Sequence, residues 1–397
     1  MGERSYAYYR EVFKEESKPF AFLDRDLLDE NIKAILMKSG HKQIRIASKS
    51  IRCVDVLKYI LQKSDRFQGV MCFTISEAIF LAEQGIDDLL VAYPEWDEKR
   101  LRQAIQSIKN GHNMTLMVDS IQHIQKIEQV ACQENTKVPV CMDIDLSVSF
   151  PGLHFGVRRS PIRTVDQVNE IARNIAQSRY VFLDGVMGYE AQIAGVGDHV
   201  PKQVLMNQMI RLLKMHSRLK IVKKRREVAK SLQKEGYPIR FFNGGGTGSI
   251  SHTVQEDVIT EITVGSGFYA PMLFDYYTDF RFKPAAGFAI EVTRKPTSGI
   301  YTCLGGGYVA SGSAGKDKLP QPYLPFGAKL LDLEGAGEVQ TPICYQGEEK
   351  IDLGDPIFMR HSKAGELCER FQELIWIAEG KIVHRAKTYR GEGKCFL

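Results

Sequence analysis

Three short stretches of this chain combine residue types suited to covalent and anion-binding chemistry. Lys49 lies near the end of RIASKS, an apolar run closed by small polar residues. The loops GGGTGS (244–249) and VGSGFY (264–269) each close a β-rich run and place several small residues in a row. Backbone N–H groups in such loops can converge on an anion. Neither is a P-loop, because no Gly-Lys-Ser/Thr follows, and GGGTGS lacks the dinucleotide spacing G-x-G-x-x-G. A lysine amine that faces a phosphate cradle can form a Schiff base, and the pair is what pyridoxal phosphate requires. A lysine at such a place can also snorkel to solvent or pair with a carboxylate. Other candidates at corresponding positions are Asp143 and Asp145, then His154, Arg158 and Arg159, then Tyr189, Glu190 and Gln192.

The elements that must hold these residues alternate. Candidate strands are Phe20–Leu23, Ile44–Ser48, Gly69–Phe73, Leu89–Ala92, Met114–Val118, Val138–Asp143, Tyr180–Val186, Ile239–Asn243 and Glu261–Val264. Helical patterns fill 26–38, 53–63, 75–85, 97–109, 120–132, 165–178 and 203–234. Such alternation over about 250 residues predicts an α/β fold, a (β/α)8 TIM-type barrel. Nine strands compete for eight places, and Phe20–Leu23 is expected outside the barrel, at a domain junction. In a barrel, chemistry gathers at the C-terminal strand ends, which is where the candidates above fall. The last two strand ends, those of the glycine loops, are the usual phosphate position. After Asp279 helical periodicity fades. Phe288–Val292, Ile300–Leu304, Lys329–Leu333, Pro356–Met359, Leu374–Ala378 and Lys381–Arg385 read as strands, with Gly305–Phe326 as a long loop. The expected domains are 1–19, a segment packing on the β domain, 20–279, the cofactor-binding barrel, and 280–397, a smaller, mostly β C-terminal domain.

Composition is that of a globular protein, 44% hydrophobic and 25% charged in 397 residues. No apolar run suits a membrane span. The charged start, MGERSYAYYREVFKEESKP, lacks the core of a signal peptide, so a cytoplasmic location is expected. Eight cysteines without a C-x-x-C pair are expected to be reduced. The net charge of +5 conceals a basic segment, 201–235, with eleven Lys/Arg against Glu227 and Glu235. Leu205, Met209, Leu212, Leu219, Val222 and Ala229 recur within it at helical spacing and predict a buried stripe under a wet basic face. No aromatic residues are interleaved for base stacking, so nucleic acid is not an expected partner.

The same stretches, taken in order with PFAFLDRDLLDENI, DIDLSVSFPGLHFGVRRSP, DGVMGYEAQ and RHSKAGE, resemble the fold-type III pyridoxal-phosphate enzymes. The likeness is to the branch of D-threonine aldolases and D-serine dehydratases, with alanine racemase more distant. The resemblance implies a Schiff base on Lys49 and an arginine beside the cofactor's phenolic oxygen, Arg159 or its neighbour Arg158. It implies Tyr189 along the ring, and Gly245, Gly246, Thr247, Gly265 and Ser266 with Tyr269 around the phosphate. It also implies a homodimer and a lyase acting on D-3-hydroxy amino acids, by retro-aldol cleavage or by dehydration to a keto acid.

One departure stands out. The resemblance implies a divalent metal held by a histidine and, two residues on, an aspartate or cysteine. The matching stretch is His361-Ser362-Lys363, and a protonated lysine has no lone pair to offer a metal. Any metal would rest on His361 alone, or the Lys363 ammonium takes the cation's place. Lys363 could instead form a surface ion pair with Glu366. His361 is the candidate for handling the β-hydroxyl proton, since an imidazole with its ordinary pKa of about 6.5 exchanges protons at neutral pH. An amino-acid racemase, using a tyrosine such as Tyr301, Tyr308 or Tyr323 as second base, a non-catalytic pyridoxal-phosphate-binding protein and a phosphosugar enzyme with an unmodified Lys49 remain open alternatives.

Overall fold

Parallel strands buried on both faces are apolar almost throughout, and eight such strands close on one another here. In chain order they are Gln43–Ala47, Phe67–Cys72, Leu89–Val91, Met114–Val118, Val138–Asp143, Val181–Gly188, Phe241–Gly244 and Glu261–Val264. Every neighbouring pair is parallel, and Glu261 opposite Gln43 closes the ring. The computed structural model describes residues 4–397 apart from 314 and 364. Alternate side chains divide between two cores. Val138, Val140 and Met142 join the large cluster under the helices, whereas Leu90, Met117, Cys141, Met187 and Phe241 fill the barrel. Gly185 is required there, since a Cβ would stand 2.4 Å from the Phe241 ring. Arg45, fully buried, bridges Glu261 at 2.8 Å and Asp88 at 3.1 Å toward the N-terminal strand ends. The C-terminal ends are left open.

The outer helices begin where oxygen-bearing caps stand. Asp24, Thr74, Asp97, Ser120 and Thr164 each accept the N–H three residues on, and Thr164 with Gln167 forms a full capping box.

Strand Phe20–Asp24 is not in the barrel. It runs antiparallel to Ala286–Thr297 and parallel to Glu373–Ala378, in a nine-stranded sheet made otherwise of residues after 285. Helix Tyr6–Val12 covers that sheet: Tyr6, Tyr9 and Phe13 pack with Phe20, Phe22, Leu324 and Phe358. Arg4 pairs with Asp24 and Asp26, both at 2.8 Å.

Three expectations need correction. Gly305–Phe326 contains the strand Gln321–Leu324, which pairs only with Pro356–Arg360. An edge position asks for no N–H from Pro322, so the prolines that read as loop are tolerated. Gln340–Cys344 is also a strand. Its Pro342 lies beyond the reach of its short outer neighbour Lys329–Leu330, which itself ends before the exposed Leu333. The third correction concerns helix Val204–Lys234. Its buried side is Asn207, Ser217, Ile221, Arg225, Val228 and Leu232, while Leu205, Leu212 and Leu219 are 82%, 63% and 70% exposed. Leu205, Met209, Leu212 and Leu219 thus face away from the barrel while Ala229 packs on its core, and Arg225 is no part of a wet face. Of the cysteines, all free among the described residues, Cys53, Cys72, Cys141, Cys303 and Cys368 are buried. No helix is long and apolar enough to cross a membrane.

One buried acid ties the C-terminal segment to the barrel. Glu77 accepts from Phe73 N–H at 2.7 Å and from the Tyr389 hydroxyl at 2.8 Å. Burial pushes its carboxyl up from the ordinary 4.5 to about 7, against the lowering effect of those bonds. Across that window the unfolded chain has lost this proton while the folded chain keeps it, so stability falls as pH rises. Glu77→Gln is expected to flatten that part of the profile, with denaturant unfolding from pH 5 to 8 as the check. Parallel profiles for the two proteins would refute the assignment.

Candidate functional site

The turn that carries Lys49 is the three-residue 3-10 segment Ser48–Ser50 at the end of the first barrel strand. Ser48 and Ser50 are buried and Lys49 is exposed, which puts its amine at the barrel mouth. Among the described residues the Lys49 side chain has no hydrogen-bond or ion-pair partner. The Ser48 hydroxyl donates to Met71 O at 2.9 Å, and Ser50 Oγ lies 3.5 Å from Ser266 Oγ. A Cβ on Gly265 would stand 2.5 Å from Ser50 Oγ, so the last strand's loop and the lysine turn are in direct contact. The two glycine loops are joined in turn, with Gly267 N–H donating to Thr247 Oγ1 at 3.0 Å.

The N–H groups of these loops are not equally available. Gly245 N–H goes to Glu190 at 3.0 Å and Gly246 N–H to Ser249 Oγ at 3.0 Å. Among the described residues, Thr247, Gly248, Gly265 and Ser266 donate their N–H to no protein acceptor. These four N–H groups are the ones open to an anion. Gly245 and Gly246 donate theirs within the loop, and Gly248 was not in the expected set. Tyr269 is buried with its hydroxyl on Ile51 O at 3.1 Å, where it props the lysine turn from below.

Glu190 organises the loop from within the core. It accepts from Gly245 N–H, from Ser249 Oγ at 2.8 Å, from Thr253 Oγ1 and from the Arg225 guanidinium. Arg225 also pairs with Glu256 at 2.6 Å and donates to Gly188 O at 2.5 Å. Burial alone would push the Glu190 carboxyl up, yet Arg225, Thr253 and Ser249 hold it below its ordinary range. Gln192 is likewise structural, donating to Leu146 O at 2.6 Å.

Across the mouth, Arg159 lies over the rings of Tyr93 and Tyr189, at 5.6 and 6.0 Å. It follows a small hairpin, Val148–Phe150 with Leu153–Phe155, whose three-residue strands are too short to stand out in the sequence. His154 belongs to that hairpin, and among the described residues its ring makes a local contact, to Val157 O at 3.4 Å. Burial and the nearby Asp119 raise the Asp143 carboxyl to about 7, against the pull of Arg159. Asp145 is spent on Ser147 and Arg163.

The third wall comes from the β sheet. Met272 and Leu273 N–H donate to His361 O and Ser362 O, each at 3.1 Å. Arg52 reaches Glu369 at 2.7 Å. Gly365, at φ 75°, rests so closely on the lysine turn that a Cβ would stand 1.9 Å from Lys49 O. This brings Lys363 to the site, with its ammonium on Ser311 Oγ at 3.1 Å and Ser311 O at 3.3 Å. Burial lowers its pKa, partly offset by Glu366, while Lys49 acts with burial. His361 is 4% exposed beside the Tyr269 ring, and burial with Arg360 pushes it down to about 3. That environment disfavours the charged imidazole on which the expected proton exchange at neutral pH depends.

The family described as "Alanine racemase, N-terminal domain" matches residues 23–270, which include Lys49 and both loops. The chain belongs to this family. The 3-hydroxy-D-aspartate aldolase of Paracoccus denitrificans (strain Pd 1222) is 27% identical over 261 residues, 65% of this chain and 61% of that protein. The match thus spans about three fifths of that curated relative. The D-threonine aldolase of Filomicrobium marinum superposes with a TM-score of 0.81 over 96% of each chain, at 18% identity. A D-threo-3-hydroxyaspartate dehydratase variant in a metal-free form gives 0.73 over 94% of this chain and 97% of that one, also at 18% identity. The likeness in fold to these two solved structures extends across barrel and β sheet alike.

Proposed function

We propose that this chain is a pyridoxal-phosphate-dependent lyase acting on D-3-hydroxy amino acids. The observation that carries this reading is an uncommitted lysine amine beside four open N–H groups, at the mouth of a barrel of this family. The relatives named for a 3-hydroxy-D-aspartate aldolase and a D-threonine aldolase support the substrate class. Lys49 would hold the cofactor's aldehyde carbon as a Schiff base. Thr247, Gly248, Gly265 and Ser266 would hold its phosphate, and Arg159 with Tyr189 would flank its ring. When bound, the cofactor supplies the sink for the electron pair released at the substrate's Cα. Lys49 Nζ would stand beside the substrate's Cα and hold or move a proton there. Asp143 keeps its proton through most of the range below pH 7, so it offers the mouth a donor in place of a second carboxylate charge.

The purified protein, supplied with pyridoxal phosphate, is expected to show a visible Schiff-base band that collapses on borohydride reduction. Peptide mapping should then find the pyridoxyl group on Lys49. A label on any other residue, or no band at all, removes the reading.

A further inference from the structure

A cavity of about 10 Å3 lies under the segment that follows strand Pro356–Arg360, bounded by Phe288, Tyr308, His361, Lys363, Glu366 and Arg370. That is room for one water or one hydroxyl oxygen. Its polar lining is incomplete. Among the described residues, neither ring nitrogen of buried His361 has a hydrogen-bond partner, and neither has Oε2 of Glu366. Glu366 accepts from Ser311 N–H at 3.0 Å, and Lys363 spends two of its three N–H groups on Ser311. Such orphaned buried groups persist where something fills the gap.

A divalent metal does not fit this donor set. One imidazole and one carboxylate fall short of the ligands such an ion needs, and the ammonium between them repels it. Among the described residues no group of three His, Cys, Asp or Glu could hold one. A hydroxyl fits better, because it both accepts and donates.

We propose that this pocket receives the substrate's β-hydroxyl, with the Lys363 ammonium supplying the positive charge that a metal ion would otherwise bring. The third Lys363 N–H points the charge at the hydroxyl oxygen, and a His361 ring nitrogen accepts the hydroxyl hydrogen. Gly365, between the pocket-lining Lys363 and Glu366, packs on Lys49 O, so the pocket lies next to the lysine turn. The assignment rests on the lyase reading above.

The test titrates the holoenzyme with D-threonine and with D-2-aminobutyrate, which lacks the hydroxyl, and reads the initial change in the cofactor band. D-Threonine is expected to bind about 10- to 100-fold more tightly, the range for a hydrogen bond to a charged group. Lys363→Met should erase that preference while keeping the band and the affinity for D-2-aminobutyrate, and Lys363→Arg should restore part of it. Calorimetry of the wild type with Mn2+ should show no one-to-one binding. A Lys363→Met protein that still prefers D-threonine overturns the proposal, as does a wild type that binds one Mn2+ per chain. Failure of the lyase reading looks different: no band forms, and the manganese titration then decides the pocket alone.

Discussion

Lys49→Ala is expected to lose the Schiff-base band and roughly 10^3-fold or more of kcat/KM, since it removes the nucleophile itself. The structure makes this a clean experiment. The side chain is exposed and without partners among the described residues, so its loss should change stability by no more than about 0.5 kcal/mol. The proposed phosphate-binding N–H groups belong to other elements, so the variant should still take the cofactor. Absorbance, unfolding and steady-state rates on D-threonine would be measured together. A variant that unfolds early would show that the lysine turn carries structural weight absent from its contacts. A variant that keeps the band would move the Schiff base to another lysine.

The second large effect is expected far from the reacting atoms. Arg225 sits in the core between Glu190 and Glu256, and Arg225→Met would leave two buried carboxylates without their cation. Breaking one side of such a cluster costs about 3–5 kcal/mol. Because Glu190 also holds Gly245, Ser249 and Thr253, cofactor affinity should fall with stability. The loss should depend on pH in a definite direction. Without Arg225, burial is left to raise the Glu190 carboxyl, so the folded variant would bind a proton that the unfolded chain releases above about pH 4.3. The deficit relative to wild type should therefore be smaller at pH 5 than at pH 8. Urea unfolding at the two pH values decides it, and an equal deficit at both would count against the buried-charge account.

Much of this was readable from residue order. The barrel strands are apolar runs ended by small or charged residues, and Met114–Val118, Val138–Asp143 and Glu261–Val264 fall at the positions expected. Lys49 and the two loops were legible because a barrel confines chemistry to strand ends. What spacing could not supply was direction. The repeat Leu205–Leu212–Leu219 marks a helix face, but not which side meets the barrel. The side that does carries Asn207 and Arg225, polar residues satisfied by Val200 and by two glutamates. The cradle had a similar blind spot. Which N–H groups stay open depends on Glu190 and Ser249 taking the others, a three-dimensional fact with no local signature. The strands at Gln321 and Gln340 were hidden by prolines whose harmlessness follows only from edge or chain-end placement.

The strand Phe20–Asp24 has a consequence for how the protein is made. Its neighbours, Ala286–Thr297 and Glu373–Ala378, are synthesised some 260 to 350 residues later. On the ribosome the eight barrel strands can all have emerged by Val264 while this apolar strand and the aromatic helix before it have nothing to pair with. For most of translation the nascent chain carries a sticky leading end, which is the species a holding chaperone would meet. A chain halted with Val264 outside the ribosome and Ala286 still inside the exit tunnel should thus present a protease-resistant barrel with a cleavable Phe20–Asp24 segment, and release of the full chain should seal both at once.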